Sequence, residues 1–247
     1  MSEDSGAGWA LGIGMLVGVG VLIFRARGAS ASGSPREWAP SPTGPVPHSI
    51  QEWIPLFREL GPDVPIPAAV AWLEGESGGN VCSVGNVPPP GVKYPAEYGL
   101  TQLDVNNPEN VGFLSQADAR AACQNSGSTR ADWQRQLRPL SDAERRMHVK
   151  AAVDHMRSAH AHALDRIGPW GWDPNGIDAW TMAKLWHAGP AYVNLAGPTA
   201  AAMGRPPKNF AEFREKANAV GLQHGYTQYN LTVAWNNVAG FARRMTS

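Results

Sequence analysis

The first sustained pattern in the chain is an unbroken apolar run. From Gly6 to Phe24, nineteen residues carry no charge, close to the roughly 20 that span a bilayer. Glu3 and Asp4 precede the run, and Arg25 and Arg27 follow it. A cleaved secretory signal carries its positive charge on the other side and ends in a small-residue site. The run therefore predicts an uncleaved membrane anchor over 1–27, with residues 7–24 in contact with the membrane. Gly8, Gly12, Gly14 and Gly18 contain two GxxxG spacings suited to close helix packing, although glycine is common in membrane helices generally.

Periodicity then disappears. Between Gly28 and Pro47, twelve of twenty residues are Gly, Ser or Pro, a composition that forms an extended tether rather than a core. At ~3.3 Å per residue it reaches about 65 Å. From His48 onward the spacing becomes helical. Ser49 and Glu52 have capping-box spacing, interrupted by Pro55. Pro67 suits the first turn of a helix through Glu76, stopped by Gly78 and Gly79. Ser141 and Glu144 open the clearest helix. There Val149, Ala152, Val153, Met156, His160, Ala163, Leu164 and Ile167 keep a 3.6-residue period until Gly168-Pro169. Further helices are expected near 177–187, 190–203, 208–220 and 229–245. No stretch sustains a two-residue alternation, so the expected class is mainly α with at most a small sheet. The domain so defined covers 48–247.

Composition narrows the function. The chain has 247 residues, 21 basic and 21 acidic side chains and no net charge, which argues against a nucleic-acid partner. Gly and Pro make up 48 residues, an excess that the anchor and tether partly absorb. Two cysteines exclude a disulfide-rich scaffold and a four-cysteine zinc site. His148, His155 and His162 are spaced by sevens along one helix, about 10 Å apart, so they share no metal and read as solvated or partly packed. No metal and no cofactor is expected. The ten tryptophans suit either a core or stacking on sugars, and Trp170 and Trp172 fall in a loop without an assignment.

One segment carries chemistry. Trp72 to Asn80 reads WLEGESGGN and is followed at a distance by Tyr98-Gly99-Leu100-Thr101-Gln102-Leu103-Asp104. A carboxylate on the last turn of an apolar helix, ahead of a glycine turn, sits at a low-dielectric wall. Desolvation there raises its pKa toward the range a general acid needs.

These residues resemble the lysozyme-like lytic transglycosylases and goose-type lysozymes. That pattern is Glu-Ser closing a helix, then Gly-Leu-Met-Gln, then a helix bearing Tyr-Asn-Ala-Gly. The matches are Glu76-Ser77, Gly99-Leu100-Thr101-Gln102 and Trp186-His187-Ala188-Gly189, in the same order. Thr101 replaces Met, and Trp186-His187 replace Tyr-Asn. The resemblance covers about 70–247 and implies a lysozyme-like fold that cleaves the β-1,4 bond between N-acetylmuramic acid and N-acetylglucosamine in peptidoglycan. As a transglycosylase, Glu76 serves first as acid and then as base, closing a 1,6-anhydro ring. The alternative is inverting hydrolysis, which needs a base about 6.5–9.5 Å away. Asp104, placed like an aspartate of the goose-type enzymes, is the candidate for that role only. Ser77 and Gln102 are expected to contact polar sugar groups. Tyr98, Trp186 and Tyr192 are expected to offer apolar faces, with His187 beside them. Glu74 is a rival acid without the following Ser, and Glu97 reads as an exposed loop charge.

Cys82 and Cys123 are expected to bridge in an oxidising compartment, the alternative being two free buried thiols. The arginines after the anchor favour a cytoplasmic domain, whereas the implied substrate lies in the periplasm or cell wall. One resolution is translocation that overrides a weak charge bias. The other is carriage in the membrane of a phage virion beside other virion proteins, for cell-wall opening during entry or release. A non-enzymatic alternative also stands: a wall-binding membrane protein whose site has decayed, as His187 in place of Asn would suggest.

Overall fold

The computed structural model describes residues 48–89, 95–104 and 112–246. The expected anchor over 1–27 and tether over 28–47 lie outside them. Among the described residues, no helix is long and apolar enough to cross a membrane.

The described chain is mainly α. Helix α1 spans His48–Gln51, α2 Ile54–Leu60 and α3 Ile66–Glu76. A two-stranded antiparallel hairpin follows, with β1 at Glu97–Tyr98 and β2 at Leu103–Asp104. Then come α4 (Gln116–Arg120), α5 (Arg130–Trp133), α6 (Asp142–Ile167), α7 (Ile177–Ala188), α8 (Pro190–Val193), α9 (Ala196–Met203), α10 (Phe210–Gln223) and α11 (Gln228–Thr246).

Helix α7 is central, and its sequence explains why. Every residue from Ala179 to Trp186 is buried, as expected of a helix that is apolar on almost all sides. Helices α6 and α11 pack on it, and α11 also packs on α3. The amphipathic α11 turns Leu231, Ala234, Trp235, Val238 and Phe241 inward. Helix α6 begins at the expected capping box: Ser141 Oγ accepts from the Glu144 amide, and Glu144 returns a carboxylate to the Ser141 amide. The span expected as one helix over 190–203 is two, α8 and α9. Pro198, in the first turn of α9, has no N–H to give the carbonyl of Asn194, so the two turns cannot run together.

Most described tryptophans are core. Trp72 and Trp180 are fully buried, and Trp53, Trp133, Trp186 and Trp235 nearly so. The loop pair left without a sequence assignment also packs. Trp170 and Trp172 meet edge to face at 5.1 Å, Trp170 lies against Phe213, and Trp172 donates its indole N–H to the Pro207 carbonyl.

The irregular segment between α3 and α6 is held by two devices. Cys82 and Cys123 form the disulfide, and buried Arg120 donates to the carbonyls of Cys82, Gln124 and Trp133. With 41 residues between the sulfurs, the bridge restricts the unfolded chain enough to contribute about 2–4 kcal/mol. A Cys82→Ser/Cys123→Ser double variant is therefore expected to unfold at lower urea, with a loss in that range, as read by equilibrium denaturation. An unchanged midpoint would show that the bridge contributes nothing.

Candidate active site

Helix α3 ends where it does because its last turn is closed twice. The amides of Ser77 and Gly78 both donate to the Leu73 carbonyl, at 2.9 and 2.8 Å. Ser77 Oγ in turn accepts from the Gly79 amide at 3.1 Å. Gly78 and Gly79 have φ of 60° and 82°, a left-handed conformation that glycine adopts without steric cost. Glu76 is therefore fixed as the final helical residue, one turn after the buried Trp72.

The second wall is the hairpin. Its turn over Gly99–Gln102 places Gln102 at φ 51°, the one non-glycine residue with positive φ among those described. Gln102 is buried, and its side-chain amide donates to the Gly99 carbonyl at 3.1 Å. Its Oε1 is buried without a hydrogen-bond partner. Gln102 thus combines a left-handed backbone with a buried acceptor left open at the cavity. The hairpin register sets Glu97 opposite Asp104. Burial, and next the charge of Asp104, push the Glu97 carboxyl above its usual range.

The third wall is the end of α7. Lys184 and His187 stand one turn apart on the same face, and both reach Glu76 Oε1. The Lys184 ammonium nitrogen contacts it directly, and His187 Nε2 lies 3.5 Å away. Behind His187 the polar contacts continue into the core. His187 Nδ1 is 3.3 Å from His155 Nε2, and His155 Nδ1 is 3.1 Å from Thr101 Oγ1. A neutral imidazole has one N–H, so the contacts form a relay with two consistent directions: from Thr101 through His155 to a His187 N–H facing Glu76, or from a protonated Glu76 through His187 and His155 to Thr101. Burial holds both rings well below the ordinary histidine range, assisted at His155 by His187 and at His187 by Lys184.

These walls enclose a cavity of about 310 Å³ lined by Glu76, Glu97, Gln102, Asp104, His155, Lys184, Trp186, His187, Ala188, Gly189 and Asn237. Of the residues expected from sequence, Glu76, Gln102, Asp104, Trp186 and His187 meet there. Trp186 is nearly buried and stacks on His162 at 4.8 Å, so it offers only an edge. Three expected contacts stand apart from this cavity and serve the fold. Ser77 caps α3. Tyr98 is buried, with its hydroxyl donating to Leu114 and its pKa pushed up to about 12 by burial. Tyr192 packs on Tyr226 and donates to Asn230; its ring lies where a Cβ on residue 189 would fall, at 2.8 Å, which is why Gly189 is glycine.

Two readings are corrected. Glu97 is a half-buried strand residue of the cavity wall, not an exposed loop charge, because pairing with Asp104 turns it inward. His155, expected to be solvated or partly packed, is fully buried and joined to the site. The rival Glu74 lies outside the cavity, 3.9 Å from Arg244. Lys184 was not a sequence candidate at all, although its position three residues before His187 puts it on the same helix face. Among the described residues, no three His, Cys, Asp or Glu side chains are arranged to hold a metal ion.

No model of a known protein family, no curated protein and no solved structure matches this chain.

Proposed function

We propose that this chain is a peptidoglycan-cleaving glycosidase of the lysozyme-like kind, acting as a lytic transglycosylase with Glu76 as its acid and base. The observation that carries the reading is convergence. Glu76-Ser77, Gly99–Gln102 and Trp186–Gly189 are far apart in sequence, yet each contributes to one cavity. A mainly helical domain with a small hairpin at the cleft agrees with that group.

In this mechanism Glu76 protonates the glycosidic oxygen, and the bond from C1 of the muramoyl sugar breaks. The Glu76 carboxylate then takes the proton of the C6 hydroxyl as O6 bonds to C1. The 1,6-anhydro ring closes without a second carboxylate, and the proton count of the enzyme is restored. Gln102 Oε1, an acceptor in want of a donor, suits an acetamido N–H or a sugar hydroxyl. Replacing it by Gly removes the strain of a left-handed side-chain residue, about 1–2 kcal/mol, together with that acceptor. Gln102→Gly is therefore expected to unfold within about 2 kcal/mol of the wild type while losing at least tenfold in turnover, a ratio compatible with one lost polar contact. Equal activity would remove Gln102 from the site.

One observation favours a second reading, inverting hydrolysis. The Glu97–Asp104 pair places further carboxyl groups on the cavity, and Asp104 would activate water. End-group analysis of the products separates the two. Anhydro-muramoyl ends support the transglycosylase, reducing ends the hydrolase, and no cleavage supports a wall-binding protein.

The anchor and tether complete the reading. An apolar run at 7–24 followed by about 65 Å of extended chain would hold the domain at a membrane while it reaches the glycan. A phage virion membrane would reconcile the arginines at 25 and 27 with an external substrate. Mass spectrometry of purified particles tests that placement.

A further inference from the structure

Lys184 is the polar member of the cavity wall in direct contact with Glu76, and the mechanism above leaves it without a task. Its side chain is only 2% exposed. Its Nζ touches Glu76 Oε1 and lies 4.8 Å from the centre of the Trp72 ring. His187 approaches the same oxygen. Both α7 side chains thus lie toward Oε1, and among the described residues Oε2 accepts no hydrogen bond. Oε2 is the oxygen left for a ligand.

A fixed ammonium against this carboxyl would be a poor arrangement for an acid, since a neighbouring cation favours the ionised form. It would also be a charge withdrawn from water almost completely, with a ring face and one oxygen in return. We propose, resting on the reading of Glu76 as the acid, that Lys184 is a neutral positioning residue. Its amine holds Oε1 through an N–H while Glu76 keeps the pair's single proton on Oε2, toward the cavity.

The surrounding charges agree. Arg244, from α11, opposes a second cation at Lys184, and burial pushes Lys184 well below the ordinary lysine range. Glu97 and Asp104 line the same cavity as Glu76. Burial by itself disfavours a charge on His187 and His155. Glu74 is turned to Arg244. When Glu76 gives its proton to the glycosidic oxygen, the new carboxylate keeps the Lys184 N–H on Oε1, with His187 beside it. The proton of the C6 hydroxyl then returns to Oε2.

The discriminating comparison is between two replacements. Arginine stays charged and would pin Glu76 as carboxylate. Methionine has similar reach and no charge. A structural counter-charge would be rescued by Arg and lost in Met, whereas a neutral positioning amine gives the opposite order. The full-length chain carrying glutamate labelled with carbon-13 at the carboxyl is titrated by NMR, with Glu76→Gln assigning the signal. Turnover on purified sacculi is followed in parallel.

In the wild type and in Lys184→Met, the Glu76 carboxyl is expected to remain protonated at neutral pH, with turnover in Lys184→Met reduced about tenfold by lost orientation. In Lys184→Arg the midpoint is expected to fall to at least two pH units below neutrality, which leaves about 100-fold less of the acid form at neutral pH and a matching loss of rate. An ionised Glu76 in the neutral wild type would overturn the proposal, as would a Lys184→Arg variant that titrates and turns over like the wild type. Should Lys184→Arg fail to fold, the wild-type and Lys184→Met titrations decide alone. A chain that released no muropeptides would overturn the functional reading, while the carboxyl titration would still decide this one.

Discussion

Replacing Glu76 with Gln is expected to lower the release of muropeptides by at least 10³-fold while leaving the fold in place. The substitution keeps the side chain's size and an oxygen for Lys184 and His187, so the contacts of the last turn of α3 survive. What it removes is the exchangeable proton. A positioned general acid contributes about 10²–10⁴ in rate, and in the proposed mechanism the same group also takes back the C6 proton, so the upper part of that range is expected. Glu76→Asp tests position separately. The shortened carboxyl withdraws from the cavity by about the length of one bond, and a misplacement of this order costs about 10²-fold. Glu74→Gln is the control for the rival acid. Its carboxyl lies toward Arg244 and away from the cavity, so activity close to that of the wild type is expected. A Glu76→Gln variant with more than a tenth of wild-type activity, or a Glu74→Gln variant without any, would reverse the assignment.

The largest expected loss of stability lies elsewhere, at Arg120. Its side chain is fully buried. It donates to the carbonyls of Cys82 at 2.9 Å and of Gln124 and Trp133 at 2.6 Å, and its Nε donates to Asn125 Oδ1 at 3.2 Å. The guanidinium also lies 5.6 Å from the Trp133 ring centre. A planar fork with five N–H donors can reach so many acceptors at once, and no other side chain does this. Arg120→Met removes every donor while keeping most of the stem. Each buried carbonyl left unsatisfied costs about 1–3 kcal/mol, so a loss of at least 3 kcal/mol is expected by urea denaturation, against a total of about 5–15 for an ordinary domain. Arg120→Lys restores only part of it, because an ammonium cannot span the same acceptors. A loss below about 1 kcal/mol for Arg120→Met would show that these carbonyls find water instead. The consequence reaches the candidate site, since the segment anchored at Cys82 follows Glu76 and precedes the hairpin in the chain.

Much of this arrangement was legible in the sequence, and the rest was not for specific physical reasons. Helix α6 could be read because its capping box and its 3.6-residue apolar period agree with one another. Helix α3 could be read because Pro67 and the Gly78-Gly79 pair punctuate it. Short motifs around Glu76, Gln102 and His187 pointed to one site before any contact was known. Glu97 was missed because its inward direction depends on pairing with Asp104 across a hairpin too short to show alternation. His155 was missed because sequence spacing along α6 says nothing about a ring on α7. Lys184 was missed because a lysine in an apolar helix looks like an exposed interruption until its partner, 108 residues away, is known. The four-to-five-residue helices α4 and α5 carry too few positions for a period to register.

The most direct test of the central claim is digestion of purified sacculi by the full-length chain, with Glu76→Gln alongside, and mass analysis of the soluble products. The account predicts soluble muropeptides ending in 1,6-anhydro-N-acetylmuramic acid from the wild type and none above background from Glu76→Gln. Release that is equal in the two proteins, or absent from both, would contradict it.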